Sequence, residues 1–348
     1  MQNGRMRMKN SPKYYSSNMK KIKLIYLAGI LFIACAAILG IILGSTPLTF
    51  SEVYEAFING FDSSAGGRIF AYVRLPRTAA SLLCGAALAV SGAVIQGVLA
   101  NRLASPSIIG VNAGAGLAVT LCTALGIYSG WSFSIFSFLG AFGAVMLVSL
   151  GAKRWGASRG TLILIGVAMN SMLGAVSDAI ITFIPEVGVM SNDFKVGEFT
   201  SVTYPKLIPA AVLIFIAIAL LMSLNNELDV LTLGEDNAKG LGLNTSFIRT
   251  VFLMLAALLA GCAVSIAGLL SFVGLIVPHA IRRVAGSKSQ HLIALSALYG
   301  GGFVCLCDTI ARTAFAPYEI PVGIIMSFLG APFFVFILIK SKGGHSRD

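Results

Sequence analysis

Few of the 348 residues in this chain are of a kind that does chemistry, and their spacing argues mostly against it. No G-x-x-x-x-G-K-[ST] run occurs, so a phosphate-binding loop is missing and ATP hydrolysis by that route is excluded. The six cysteines, Cys35, Cys84, Cys122, Cys262, Cys305 and Cys307, all lie in apolar stretches, where cysteine behaves as a small hydrophobe. Cys305 and Cys307 stand two apart on a helical pattern, about 200° around its axis, and cannot share one metal. No disulfide, metal site, catalytic residue or cofactor is assigned to the chain. His279, His291 and His345 read as structural. A proton-coupled carrier wants carboxylates near the bilayer midplane. Only Asp178 and Asp308 fall within apolar stretches, and at 1.5 Å per residue both stand about 24–26 Å from the cytoplasmic start of their stretch, close to the outer surface. Asp308 and Arg312 are also spaced i, i+4 with the acid first, which suits a local ion pair.

The elements that carry these residues are set by hydropathy. With 57% hydrophobic and 11% charged residues and a mean hydropathy of +0.88, the chain cannot close a water-soluble domain under a polar skin. The long unbroken apolar runs also exclude a disordered chain, a disulfide scaffold and a β-barrel porin. The net charge of +11 is spread over short loops rather than gathered on one face, which excludes a nucleic-acid surface. An all-α, polytopic membrane protein is expected. Residues 1–23 carry seven Lys or Arg and no acid, and precede an apolar run over 24–44 that is too long for a signal peptide. Further runs cover about 78–100, 108–128, 133–152, 161–184, 207–224, 250–268, 270–281, 292–311 and 321–339. The expected organisation is a basic cytoplasmic tail over 1–23, one ten-helix domain over 24–340, and a cytoplasmic tail over 341–348.

The ambiguous stretch is 250–281, which could cross once or twice. Two crossings put 19 basic residues inside against six outside; one crossing gives 14 against 11. The positive-inside rule favours two crossings, ten spans and both termini in the cytoplasm. Thirty-two residues cannot make two full spans, so one must be a short, broken helix, and Gly268 to Gly274 before Pro278 supplies the break. Ala89-Val90-Ser91-Gly92 before Pro106 and Ala263-Val264-Ser265 before Pro278 form a faint repeat in opposite orientations, as an inverted-repeat transporter has. The loop over 225–249 is acidic against the trend. Its acids fall in the first turn of a short segment bracketed by glycines, so it is either a solvated loop or a stubby helix whose leucines face a partner.

Arg74-Leu75-Pro76-Arg77, the run Gly85 to Gln96, Asn101-Arg102-Leu103-Ala104-Ser105-Pro106, Leu233-Gly234-Glu235, Phe272 to His279, Glu319 to Gly323 and Leu329-Gly330-Ala331-Pro332 together resemble the FecCD-type permeases of bacterial ABC importers. The resemblance implies two permease subunits around a central pathway, two cytoplasmic ATPase subunits that hold the ATP and magnesium, and an extracytoplasmic substrate-binding protein. It implies that Arg74, Arg77 and Arg312 dock that binding protein on the outer surface. It implies coupling to the ATPase through Leu233, Gly234, Glu235, Asp236, Ala238, Gly240, Leu241 and Gly242. It places a cytoplasmic gate at Asn101 and Leu103 with the turn at Ala157 and Ser158; Arg102 replaces the usual proline, and Ala157 replaces a hydroxyl residue of the cobalamin permease. The function it implies is a non-catalytic permease for an iron chelate, foremost an iron-siderophore, with cobalamin and haem as alternatives. An ion-coupled secondary transporter is the reading from another class.

Overall fold

The computed structural model describes residues 12–127, 130–154 and 159–342. All regular structure among the described residues is helical. Seven helices are long and apolar enough to cross a membrane: α1 (Pro12–Ile42), α3 (Ala65–Val98), α5 (Gly130–Arg154), α6 (Arg159–Phe183), α9 (Tyr204–Ser223), α12 (Thr245–Ala267) and α14 (Ser289–Thr313). The shorter α4 (Val111–Ala124) and α13 (Val273–Ala285), together with α15 (Val322–Lys342), complete the ten places where the sequence puts a span. Between them lie short helices: α2 (Phe50–Asn59), α7 (Pro185–Met190), α8 (Asn192–Val196), α10 (Asn225–Thr232) and α11 (Glu235–Gly240).

α3 is the axle of the bundle. It packs most extensively on α14 and α12, and then on α13. Lipid tails are as apolar as leucine, so spans associate by close packing, which small residues permit. A β-carbon on Gly85 would strike the Gly300 carbonyl of α14, and one on Gly92 would strike the Gly274 carbonyl of α13. α3 also begins earlier than the apolar run suggests. Pro76 reads as a boundary in sequence, yet the helix runs through it after a π-helical turn over Ile69–Arg74. The wider turn relieves the clash and the missing donor that a proline brings to an α-helix.

The expected break lies between α12 and α13. Gly268 ends α12 at φ +70°, and Phe272 opens α13 at φ +68°, a left-handed conformation that costs a bulky residue energy. The loosened backbone is satisfied by protein: the Glu198 N–H donates to the Ala267 carbonyl at 2.8 Å and the Leu269 N–H to the Phe194 carbonyl at 2.9 Å. Clefts of about 260 and 400 Å³ flank the break. Irregular backbone inside a membrane protein is tolerated where it is paired in this way or borders a cavity.

Candidate functional site

At the end of the bundle where α12 breaks, five charged side chains close on one another. Arg77 extends from the first turn after the π-helical segment. Its Nε and Nη2 donate to Asp308 on α14 at 2.9–3.1 Å, and its Nη1 donates to Glu319 at 2.7 Å. Asp308 also faces Arg312 one turn along α14, at 3.6 Å. The Ser45 hydroxyl donates to the other oxygen of Glu319 at 2.6 Å. Burial pushes the Glu319 carboxyl up, but the hydrogen bonds from Ser45 and Arg77 and the charges of Arg77 and Arg312 outweigh it and hold it below the usual carboxylate range. Arg74 donates to the carbonyls of Ile41, Ile42 and Thr46, and Arg312 to that of Gly40. Two guanidinium groups thus satisfy the orphan carbonyls where α1 ends, the position at which cations are favoured.

This corrects the expected surface. Arg74, Arg77 and Arg312 are each no more than 5% exposed, so they do not form an open docking patch on the free chain. The reason is partner demand. Asp308 is fully buried, and a carboxylate in that setting needs cations and hydrogen bonds around it. The spacing Asp308 to Arg312 was readable in sequence; the fork of Arg77, whose partners stand 231 and 242 residues away, was not. Only Glu319 reaches solvent appreciably.

At the opposite end, the acidic loop is two short helices rather than one. α10 turns into α11 at Gly234, whose φ of +111° suits glycine. Leu228 and Leu231 of α10 are buried, Leu228 against Gly97 at the end of α3, and Ala238 is buried as well. Leu233 and Leu241 stand exposed, with Asp236, Gly240 and Gly242 in water beside them. Glu235 accepts from Arg249 at 2.6 Å and pairs with Lys239 at 3.2 Å. The Arg249 hydrogen bond, then the Lys239 one, holds its carboxyl below the usual range. The Asp229 carboxylate accepts from the Ser289 N–H at 2.8 Å, fastening the loop to the first residue of α14. The sequence treats this segment's leucines alike; in the structure Leu228 and Leu231 anchor the loop while Leu233 and Leu241 stand exposed.

The residues expected at the gate lie at the same end. Ala100 takes φ +48°, the Asn101 side chain accepts from the Leu103 N–H at 2.9 Å, and Leu103 borders a small crevice with Leu275, Ile276 and His279 of α13. Ala157 and Ser158 lie outside the described residues. Gln96, quoted in sequence only as part of a motif, is the bridge here. It donates to the Gly274 carbonyl at 3.0 Å and accepts from Arg282, which also donates to the Ala93 carbonyl at 3.3 Å. A lone amide inside an apolar helix was the signal for it. Three or more potential metal ligands gather nowhere among the described residues.

The family model for the FecCD transport family matches residues 30–340. The chain belongs to that family. The iron-uptake system permease protein FeuB of Bacillus subtilis (strain 168) is 35% identical to this FecCD protein over 93% of this chain and 98% of its own length. The hemin transport system permease protein HmuU of Yersinia pestis is 31% identical over 86% of this chain and 90% of its own. A solved structure described as an inward-facing metal-chelate type ABC transporter superposes with a TM-score of 0.79 at 29% identity, covering 91% of this chain and 99% of the other. The chain is an ABC-importer permease by family, and a multi-pass membrane protein by its helices.

Proposed function

We propose that this FecCD permease moves an iron chelate, foremost an iron-siderophore, into the cytoplasm, driven by ATP hydrolysis on a separate subunit. Haem and cobalamin are the neighbouring substrate classes. The observation that carries the reading is the inner elbow: a loop anchored through Leu228, Leu231 and the Asp229 contact to α14, yet presenting Leu233 and Leu241 to solvent. Exposed apolar side chains on a firmly seated loop suit the groove of a partner that pulls on it. Closure of two ATPase subunits would move the elbow, and the anchor would pass that motion into α3 and α14 and so to the pathway. α6 leaves apolar side chains such as Leu164, Val167 and Met172 exposed, a surface suited to a second permease subunit, identical or paralogous. The binding protein would arrive at the end of the bundle that carries the Arg77–Asp308 cluster, where Glu319 is the member that reaches solvent.

Reconstituted vesicles holding this chain, its ATPase and a ferric-siderophore-loaded binding protein should take up iron only with ATP inside the ATPase compartment. Uptake by the permease alone, or uptake that a protonophore collapses while ATP is supplied, overturns the proposal. Replacing Gly234 and Glu235 should abolish uptake while leaving the folded yield intact. A cysteine placed at Ser287, near the Asp229–Ser289 contact, should react with a membrane-impermeant reagent only from the cytoplasmic side; reaction from outside reverses the orientation and the ten-span order with it.

A further inference from the structure

The short helix α2 has no role in the transport reading, and its three faces are unlike one another. A capping box fixes its start: the Glu52 N–H donates to the Thr49 hydroxyl at 3.4 Å, and the Thr49 N–H donates to the Glu52 carboxylate at 2.8 Å. One flank packs on the protein. Ala56 is buried, and Gly66 and Gly67 at the start of α3 lie directly against Glu52 and Ala56. A second arc, Ser51, Glu55 and Asn59, is polar and exposed. The third arc is apolar and equally exposed: Tyr54 58%, Phe57 64% and Ile58 64%. At 3.6 residues per turn the positions 54, 57 and 58 share one side of the helix, nearly opposite the packed Ala56 and about 130° round from Glu55 and Asn59. Water on both arcs would leave three large apolar side chains solvated beside a carboxylate that is properly placed.

We propose that α2 lies in the plane of the membrane surface, at the end of the bundle that carries the Arg77–Asp308 cluster, with Tyr54, Phe57 and Ile58 dipped among lipid acyl chains and Glu55 and Asn59 in the headgroup water. Three observations favour lipid as the occupant. The helix is tethered at both ends to spans: residues 43–49 join it to α1 and residues 60–64 to α3, and seven residues reach at most about 25 Å. The first tether is further pinned by Ser45 on Glu319 and Arg74 on Thr46, so the helix cannot rise far from where α1 leaves the bilayer. The elements it is tethered to also leave apolar side chains exposed, Ile38, Ile42 and Leu43 on and just past α1 and Tyr72 and Val73 on the π-helical turn. The aromatic content matches the boundary zone. Phe57 packs edge-on against Phe61 and Phe70 at 5.2 and 5.8 Å, and Tyr54 presents a hydroxyl that suits the headgroup level. Amphipathic helices with a polar arc and a separate aromatic and aliphatic one sit in this way, with the apolar face some 5–10 Å into the boundary. The consequence for the permease is an in-plane brace: α2 sets the height of the π-helical turn, and hence of Arg74 and Arg77, relative to the lipid surface.

Site-directed spin labelling of the full chain in phosphatidylcholine nanodiscs tests this directly. Cys35, the exposed cysteine, is replaced by alanine, and single cysteines are introduced by Tyr54→Cys, Glu55→Cys, Phe57→Cys, Ile58→Cys and Asn59→Cys. Labels at 54, 57 and 58 should collide several-fold more with oxygen, which concentrates in the acyl region, than with a water-soluble nickel chelate; labels at 55 and 59 should show the reverse. Equal nickel access at all five positions overturns the proposal, because the apolar arc would then be in water. Loss of both oxygen and nickel access at 57 and 58 in the permease alone overturns it in favour of a second permease copy. Nickel access that disappears only when the binding protein is added overturns it in favour of a docking surface. Ile58 makes none of the ring contacts, so its label decides the matter even if Phe57→Cys weakens the local packing.

Discussion

The two ends of the bundle use charge in opposite ways. Around Arg77 and Asp308 most of the charges are withdrawn from water and paired with one another or with the carbonyls where α1 ends, so that α1, α3 and α14 are held at a fixed relation. Around Glu235 the carboxylate and Lys239 remain partly in water while Arg249 is mostly buried, two leucines face outward, and the contacts that hold the loop are a few buried leucines and one carboxylate on a helix N-terminus. A buried network resists displacement, because separating its members leaves ions unpaired in a poor dielectric. A wet loop on a firm root is easily gripped and still transmits force. The first end therefore suits a fixed frame and the second an exchangeable contact.

The largest expected effect breaks the frame. Arg77→Ala strips Asp308 of its forked partner and leaves a buried carboxylate facing Arg312 alone, at a cost of about 3–5 kcal/mol. Folded yield and thermal unfolding in detergent should fall sharply, while the double substitution Arg77→Met with Asp308→Leu recovers much of the loss. A stable Arg77→Ala permease that loses only its affinity for the binding protein would restore the docking role and dissolve the contrast between the ends.

The next effect acts on the other end without touching the frame. Leu241→Asp places a charge in the exposed apolar contact, and ATPase association should weaken by about 2 kcal/mol, roughly thirtyfold, as for a central interface residue. Thermal unfolding of the isolated permease should change by less than about 0.5 kcal/mol. Asp229→Ala sits between the two. Losing the acceptor for the Ser289 N–H should cost about 1 kcal/mol of stability, as other helix caps do. It should also lower transport more than ATPase association, measured by uptake against pull-down on the same preparation. Uptake that falls only in proportion to association would remove the Asp229 contact from the path between elbow and α14.

Local signals in the sequence carry most of this architecture. Hydropathy places all ten helices, and glycine and proline placement locates the break at Gly268, because both are properties of neighbouring residues in one segment. The early start of α3 escapes such reasoning because Pro76 normally ends a helix, and the π-helical turn that rescues it is not encoded by any one residue. α2 escapes because ten amphipathic residues fall below the length of a span. The elbow was legible as an unusual acidic loop, but the division of its leucines was not, since Leu231 and Leu233 differ only in which side of a turn they occupy. Arg77 shows the limit most clearly. The Arg-Leu-Pro-Arg motif marks a position that matters, yet what the arginine meets depends on α14 and on the segment before α15, which only the assembled fold brings together.

The smallest effect sharpens the contrast through pH. Glu235 is held below the usual carboxylate range by Arg249 first and Lys239 second. A carboxylate whose folded value is depressed contributes its full stabilisation above the ordinary glutamate value of about 4.3, and loses it as the pH falls through the lower folded value. Much of that side chain is open to water, so screening keeps the contribution small. Amide exchange across residues 235–249, corrected for intrinsic rates, should therefore quicken modestly as the pH drops below about 4. Glu235→Gln should abolish the response, because the amide cannot gain a proton in that window. A response that survives the substitution would remove the Glu235 pair from the account of the elbow's pH dependence.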